Sequence, residues 1–294
     1  MPVVKVKDDQ GKTMTLQEVD GFYLPVARVP YDQEEEFRGR LNWTARSDDI
    51  LICAYPKSGT HWVWEMVCML LNGNAERINL MKEMAMLECL SGSALDALTS
   101  PRVLNTHMYY GQIPEDFKRK QCKIVYILRN PRDVAVSFFN HHTRLLDYEY
   151  NGDWQQYLPR FIEGKVDYGS WFDYVVDWET EMNKNQQNPA HVVTYEDLQK
   201  DCVKEIGRLA TFLKTEGTET LYKDIADQCN FKKMKREKDP LEDTAEWKDD
   251  KPGMYRKGIV GDWKNWFTVA QSEMFNSVYQ ERLSNVTLPV PYNT

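Results

Sequence analysis

Residues 50–62 read ILICAYPKSGTHW. The first half, Ile50 to Tyr55, is an apolar run of β-branched, aliphatic and aromatic residues, which predicts a strand covered on both faces. Pro56 to Thr60 then forms a turn, and His61 to Asn72 has helical length before Gly73 stops it. The loop between them lies at a helix N-terminus, where free N–H groups and the helix dipole attract an anion. Gly59 lets the backbone come close to such a group, while Lys57, Ser58 and Thr60 add one charge and two hydroxyl donors. Taken alone, KSGT also reads as an ordinary turn and helix cap. It is not a Walker A loop, because Lys57 precedes the glycine that it would have to follow, and this argues against a nucleoside-triphosphate kinase.

The same strand-then-helix grammar recurs outward from this segment. Lys123 to Leu128 (KIVYIL) and His191 to Tyr195 (HVVTY) predict two further buried strands, and Pro101 to Thr106 (PRVLNT) a weaker fourth. The expected fold is therefore α/β: one domain over residues 1–294, with a central parallel sheet flanked by helices and a P-loop-like strand, loop and helix that bind phosphate. Ligands in such sheets bind beyond the carboxyl ends of the strands.

Two further segments suit anions. In ILRNPRD, Arg129 ends a strand and Asn130-Pro131 opens a helix, with Asp133 placed for the positive end of its dipole and Ser137 about a turn and a half beyond. Arg129 suits forked phosphate recognition, whereas Arg132 reads as a surface partner for a nearby acid or, alternatively, as a further ligand. Tyr255 to Trp263 (YRKGIVGDW) pairs two cations with two glycines. Lys232 to Asp250 is charged without an apolar period and reads as a solvated, mobile segment or, alternatively, as a lid over a bound nucleotide.

A net charge of −8 over 294 residues opposes nucleic-acid coating, so no nucleic-acid partner is expected. Met1 to Arg28 holds no apolar run suited to a signal peptide. The most apolar stretch, Trp62 to Leu71, contains Glu65 and falls far short of a membrane span, so no membrane partner is expected either. The six cysteines, Cys53, Cys68, Cys89, Cys122, Cys202 and Cys229, have neither zinc spacing nor a disulfide pattern, so a cytoplasmic protein with reduced thiols and no metal is expected.

Three ordered segments resemble the cytosolic sulfotransferase family. YPKSGTHW is similar to its 5′-phosphosulfate loop, ILRNPRDVAVSFF to its 3′-phosphate strand and helix, and RKGIVGDWKNWFT to its C-terminal signature, with the likeness running from about Gly21 to Leu283. The resemblance implies transfer of a sulfuryl group from 3′-phosphoadenosine 5′-phosphosulfate (PAPS) to a hydroxyl or amine of a small hydrophobic acceptor, leaving the product PAP. It puts Lys57, Ser58, Gly59, Thr60, His61 and Trp62 around the phosphosulfate, and Arg129, Ser137, Arg256, Lys257 and Gly258 around the 3′-phosphate. Trp62 and Phe231 would sandwich the adenine, bordered by Tyr195, Cys229 and Met234; plain core is the competing reading of Trp62. His107 would take the acceptor's proton, Lys57 would stabilise the departing phosphate, and Ser137 would restrain Lys57 until the acceptor arrives.

Acceptor contacts are expected from Phe22, Tyr23, Met81, Met84, His107, Phe139, Leu145 and Tyr148, with a loop around Ala245 and Trp247, although such aromatic and methionine side chains are more often core. His141 and His142 belong to the helix after Ser137 and carry no assigned step. Lys264, Thr268, Val269 and Glu273 match the family's KxxxTVxxxE motif, implying a homodimer, against a surface helix with chance spacing. Three departures stand out: Asn105 where the family usually has lysine two residues before its histidine, His61 where a threonine is common, and Cys229-Asn230 before the stacking phenylalanine. The first keeps open a PAPS-binding protein with weak or no catalysis.

Overall fold

The computed structural model describes residues 1–27, 29, 31–78, 80–238, 246–248 and 253–293. The chain begins with a sheet that the sequence reading did not anticipate: β1 (Val3–Lys7), β2 (Thr13–Val19) and β3 (Phe22–Leu24) pair antiparallel in that order. Met14, Leu16, Val19 and Leu24 carry this sheet into the same apolar core as the rest of the chain. Polar ties fix it there. The buried Arg160 guanidinium donates to the carbonyls of Val6 (2.9 Å) and Lys12 (3.0 Å), and the Tyr168 amide donates to the Tyr23 carbonyl (2.8 Å).

The apolar runs read as strands form one parallel sheet. β4 (Ile50–Ala54) sits between β5 (Val103–Thr106) and β6 (Lys123–Leu128), with β7 (Ala190–Thr194) beyond β6. Every residue of β4 is buried, which is why its sequence is a continuous apolar run instead of an alternating one. Asp49 and Arg102 pin the entrances to β4 and β5 with two short bonds, Nε to Oδ1 (2.7 Å) and Nη2 to Oδ2 (2.6 Å). Both side chains are fully buried, so removing either would strand a charge and cost about 3–5 kcal/mol.

Helices flank the sheet where the turn chemistry starts and stops them. The Thr60–Asn72 helix ends on Gly73 at φ 66, a left-handed conformation that glycine adopts without strain. The Pro131–Arg144 helix starts with proline in its first turn and with the Asn130 side chain accepting from the Arg132 amide. The four parallel strands therefore all point their carboxyl ends, Ala54, Thr106, Leu128 and Thr194, toward one edge.

Two expectations need correcting. The start of the Lys232 to Asp250 stretch is not simply solvated: Phe231–Lys238 is a helix, and Lys238 is buried with its Nζ 2.5 Å from Glu65 and bonded to the carbonyls of Ile78 (3.0 Å) and Leu80 (2.8 Å), while residues 239–245 and 249–250 lie outside the described residues. Glu65, buried in the neighbouring helix, draws it down because an unpaired carboxylate there would be costly. Arg132 is not at the surface, and no acid pairs with it among the described residues. It lies buried, with its guanidinium 4.1 Å from each of the Trp263 and Tyr292 ring centroids, and donates to Asn276 Oδ1 at 2.6 Å.

Candidate active site

At the end of β4 the backbone winds tightly: Lys57 has φ 67 and Gly59 φ 108. A Cβ on Gly59 would lie 2.9 Å from Tyr195 Cδ2, so the loop needs both the conformation and the missing side chain. The hydroxyls of Ser58 and Thr60 are buried and have no hydrogen-bond partner among the described residues. Buried donors without acceptors are costly, and a tetrahedral anion at this helix start would supply the acceptors they lack. Lys57 Nζ lies 3.1 Å from the Met254 sulfur.

Arg129, at the end of β6, joins this loop to the glycine-rich segment near the C-terminus. It donates to the Lys57 carbonyl (2.8 Å) and reaches the Ile259 carbonyl (3.4 Å), with its plane 4.1 Å from the Tyr195 ring centroid. One turn later, Asp133 accepts from the amides of Gly261 (2.7 Å) and Trp263 (2.9 Å). Asp133 was expected to answer its own helix dipole; here it also holds the C-terminal segment. That segment presents Arg256 and Lys257, whose nitrogens lie 2.6 and 2.7 Å from the Asp262 carboxylate. Burial would push the Asp262 carboxyl up, but its bonds to Lys257, Arg256 and Asn265 hold it at about 2.

The Phe231 ring covers Gly258, where an added Cβ would stand 2.1 Å from Cδ2, and it meets Tyr255 edge-on at 6.4 Å. Trp62 meets Tyr195 edge-on at 5.5 Å, and Gln199 bonds both the Tyr195 hydroxyl (3.2 Å) and the Gly258 carbonyl (3.1 Å). Tyr195, Gly258, Phe231 and Trp62 thus gather through shared neighbours. Cys229 and Met234 are buried behind them, the Met234 sulfur accepting from Arg77 at 2.8 Å.

His107 follows β5 and is buried. Its Nδ1 lies 2.6 Å from the Ala54 carbonyl oxygen, which can only accept, so Nδ1 carries the proton and Nε2 keeps its lone pair. Burial first, then the Lys82 charge, keeps this imidazole well below its ordinary value of 6.5, and it is neutral at pH 7. Glu88 braces the turn by accepting from the His107 amide (2.7 Å) and the Thr106 hydroxyl (2.8 Å). Nothing local marks Glu88 or Ala54 for these roles, since both act across the fold.

Around His107 the proposed acceptor residues divide. The Tyr168 ring lies 5.2 Å from it, and Phe22 packs edge-on against Tyr168 at 6.2 Å. Tyr148 is buried, donates to Asp167 Oδ2 (2.9 Å) and touches His141 at 5.7 Å. Met84 is half exposed. Phe139 is not brought to this group: it packs on Trp154, Tyr157 and Trp266. His141, two residues on and one full turn after Ser137, takes the inward place, against Trp247 (5.8 Å), with its Nδ1 buried and unpartnered among the described residues. Leu145 pairs with Trp247 through an isolated bridge, while Ala245 lies outside the described residues. His142 is a core residue bonded to the Tyr157 hydroxyl (2.8 Å) and Asp167 (2.6 Å).

Comparison with known proteins gives a consistent picture. The profile of the sulfotransferase domain matches residues 47–287. Mouse sulfotransferase 1B1 is 37% identical over 270 residues, covering 84% of this chain and 89% of its own length. Human sulfotransferase 1E1 is 35% identical over 289 residues, covering 92% and 94%. The crystal structure of mouse sulfotransferase SULT7A1 complexed with PAP superposes with a TM-score of 0.77 at 32% identity, covering 92% of this chain and 95% of that one.

Proposed function

The chain belongs to the sulfotransferase domain family, and from that premise we propose that it moves the sulfuryl group of PAPS onto a hydroxyl or amine of a small hydrophobic acceptor. The observation that carries this reading is the pairing of a neutral imidazole, its Nδ1 committed to the Ala54 carbonyl at 2.6 Å, with a loop of orphaned buried hydroxyls at the end of the same β4 strand. Such a pair supplies what sulfuryl transfer demands: a proton acceptor on one side and anion stabilisation on the other.

In the proposed reaction, His107 Nε2 accepts the proton of the attacking oxygen or nitrogen as its bond to sulfur forms. The bond between sulfur and the 5′-phosphate oxygen breaks, and its electron pair stays on that oxygen, where Lys57, Ser58 and Thr60 meet the new charge. Ser137 restrains Lys57 beforehand. His61 and Gly59 complete the loop, Arg129, Arg256, Lys257 and Gly258 hold the 3′-phosphate, and Trp62, Phe231, Tyr195, Cys229 and Met234 take the adenine. Among the acceptor residues, Phe22, Tyr148 and His107 are supported by the ring contacts described above, and Met84 by its half exposure at the same segment. The solved SULT7A1 structure is a complex with PAP, and that relative supports PAPS as donor here.

Incubation with labelled PAPS and a panel of phenols, alcohols and arylamines tests the reading: a sulfated product is expected, and PAP binding without any product would overturn it. His107→Ala should lower kcat by about 10²–10⁴-fold while PAP affinity stays near wild type; retained turnover would remove His107 as base.

No helix among the described residues is long and apolar enough to cross a membrane, and the six cysteines are unbridged; the thiols support a cytosolic site of action. Val269, 77% exposed at the start of the Val269–Arg282 helix beside Lys264, Thr268 and Glu273, supports a small homodimer contact through that motif.

A further inference from the structure

His107 takes a proton while the sulfuryl group beside it passes between two electron-rich atoms. Such a transition state needs a cation near the transferring group as well as at the leaving oxygen. The strand position two residues before His107 offers none, because Asn105 is uncharged, and it is turned to another task. Its Nδ2 donates to the main-chain carbonyl of Lys82 at 2.7 Å, while the main-chain carbonyl of Asn105 accepts from the Leu87 amide at 2.9 Å. The segment from Lys82 to Leu87 is thereby tied to β5 alongside the imidazole.

Lys82 is only 4% exposed. Its Nζ lies 2.9 Å from Glu83 Oε1, and the same oxygen lies 3.2 Å from His61 Nε2 in the phosphate loop. One carboxylate oxygen therefore joins the Lys82 ammonium to the loop that ends β4. Burial alone would push the Glu83 carboxyl up, but Lys82 and His61 hold it well below the ordinary range, so it stays ionised. The charges acting on His107 are those of Lys82, His61 and Glu83, and Lys57, His61 and Lys82 act together on His141. Lys82 thus stands within electrostatic reach of both imidazoles and of the phosphate loop.

A purely structural role explains this poorly. The Glu83 carboxylate alone would tie this segment to His61, and buried ion pairs add little stability over apolar replacements, so the tie does not by itself call for a buried ammonium at Lys82. We infer that Lys82, reaching the site from the segment before β5, supplies the positive charge beside the transferring sulfuryl group that Asn105 does not. This rests on the reaction proposed above. It also accounts for Asn105: a second ammonium against Lys82 would repel it, whereas an amide grips the Lys82 backbone and leaves one cation in place.

The test compares Lys82→Met, Lys82→Arg and the double variant Lys82→Met/Asn105→Lys in the full chain. For each, kcat, PAP affinity by calorimetry and the pH profile of kcat/KM are measured with whichever acceptor the wild type uses. Lys82→Met should lose about 10²-fold in kcat with PAP affinity nearly intact. Its acid limb should move to higher pH, because His107 loses a neighbouring cation that resists its protonation. Lys82→Arg should keep much of the rate, and the double variant, with its cation returned to β5, should recover part of it. Unchanged kcat and acid limb in Lys82→Met would overturn the inference, as would parallel loss of PAP binding and rate in all three variants. If Lys82→Met does not fold, the double variant alone decides: wild-type-like folding without recovered turnover, or failure to fold as well, marks Lys82 as structural. A wild type that binds PAP but sulfates nothing would instead sink the proposed reaction itself.

Discussion

Gly258→Ala places a methyl group where the Phe231 ring now lies, and the structure allows its cost to be worked out. The added carbon would stand 2.1 Å from Phe231 Cδ2 and 2.6 Å from Cγ and Cε2, whereas ordinary contact begins at 3.4 Å. The ring must retreat by about 1.3 Å, the difference between 3.4 and 2.1 Å. Gly258 also has φ 65, a conformation that costs an alanine about 1–2 kcal/mol. A ring so displaced cannot keep its place against the adenine, and stacking on a base is worth about 1–3 kcal/mol. PAP binding measured by calorimetry should therefore weaken by roughly 5–150-fold, at 1.4 kcal/mol for each factor of ten. The control is the same substitution in a Phe231→Ala background, where the methyl group meets no ring and only the backbone cost remains. A folded Gly258→Ala protein that binds PAP as the wild type does would refute both the clash and the proposed stacking.

Two other perturbations probe different parts of the chain. Burial pushes the Glu196 carboxyl up to about 7 against an ordinary 4.5. The folded state therefore holds a proton that the unfolded state has lost, and this stabilisation is full below about pH 4.5 and lost as pH rises through 7. Glu196→Gln keeps an acceptor for the Asn130 amide, now 3.0 Å from Oε1, without the charge. It should raise the melting temperature relative to wild type at pH 8, with the advantage fading toward pH 5; a pH-independent difference would contradict the assignment. Val269→Glu should convert the proposed dimer to monomer in sedimentation velocity while leaving turnover near wild type, and an unchanged sedimentation coefficient would exclude this patch as the contact.

The central sheet was legible because burial on both faces leaves a local signature: β4 and β6 are continuous apolar runs, and each ends in residues that break helix and strand. The tight turn from Lys57 to Thr60 was legible for a related reason, since a turn between a strand end and a helix start depends on sequential backbone geometry. The N-terminal sheet was not, because β1 is half exposed and reads as mixed and polar, while its attachment depends on Arg160, far along the chain. Phe139 shows the limit in the site itself: a helix turns 100° per residue, so Phe139 and His141, two residues and 200° apart, cannot both face the same cleft, and only packing decides which does. The structure turns Phe139 toward Trp266 and His141 inward. Lys82 was unreadable for the opposite reason, since nothing local distinguishes it from a solvated lysine until Asn105 is seen holding its backbone.

The two anion regions are mechanically one unit, and the junction of β6 with the Pro131–Arg144 helix is what makes them so. Arg129 grips the phosphate-loop backbone at Lys57 and reaches Ile259, while Asp133, four residues later, grips the amides of Gly261 and Trp263. Neither loop can shift without straining bonds that the other depends on. Asp262 completes the device by neutralising Arg256 and Lys257 at 2.6 and 2.7 Å, so the cationic segment stays folded without its own repulsion. Under the proposed assignment, a 3′-phosphate entering there would not have to break these pairs, because a guanidinium has five N–H donors and an ammonium three. It meets a preformed fork with donors to spare and a carboxylate that opposes it. An adenylate without the 3′-phosphate leaves that fork as it was, so the cost of bringing a second anion near Asp262 is met only when the extra phosphate makes charge-assisted bonds in return. On that proposed assignment, selectivity for the 3′-phosphorylated nucleotide would follow from the bonds that phosphate makes rather than from exclusion of its competitors.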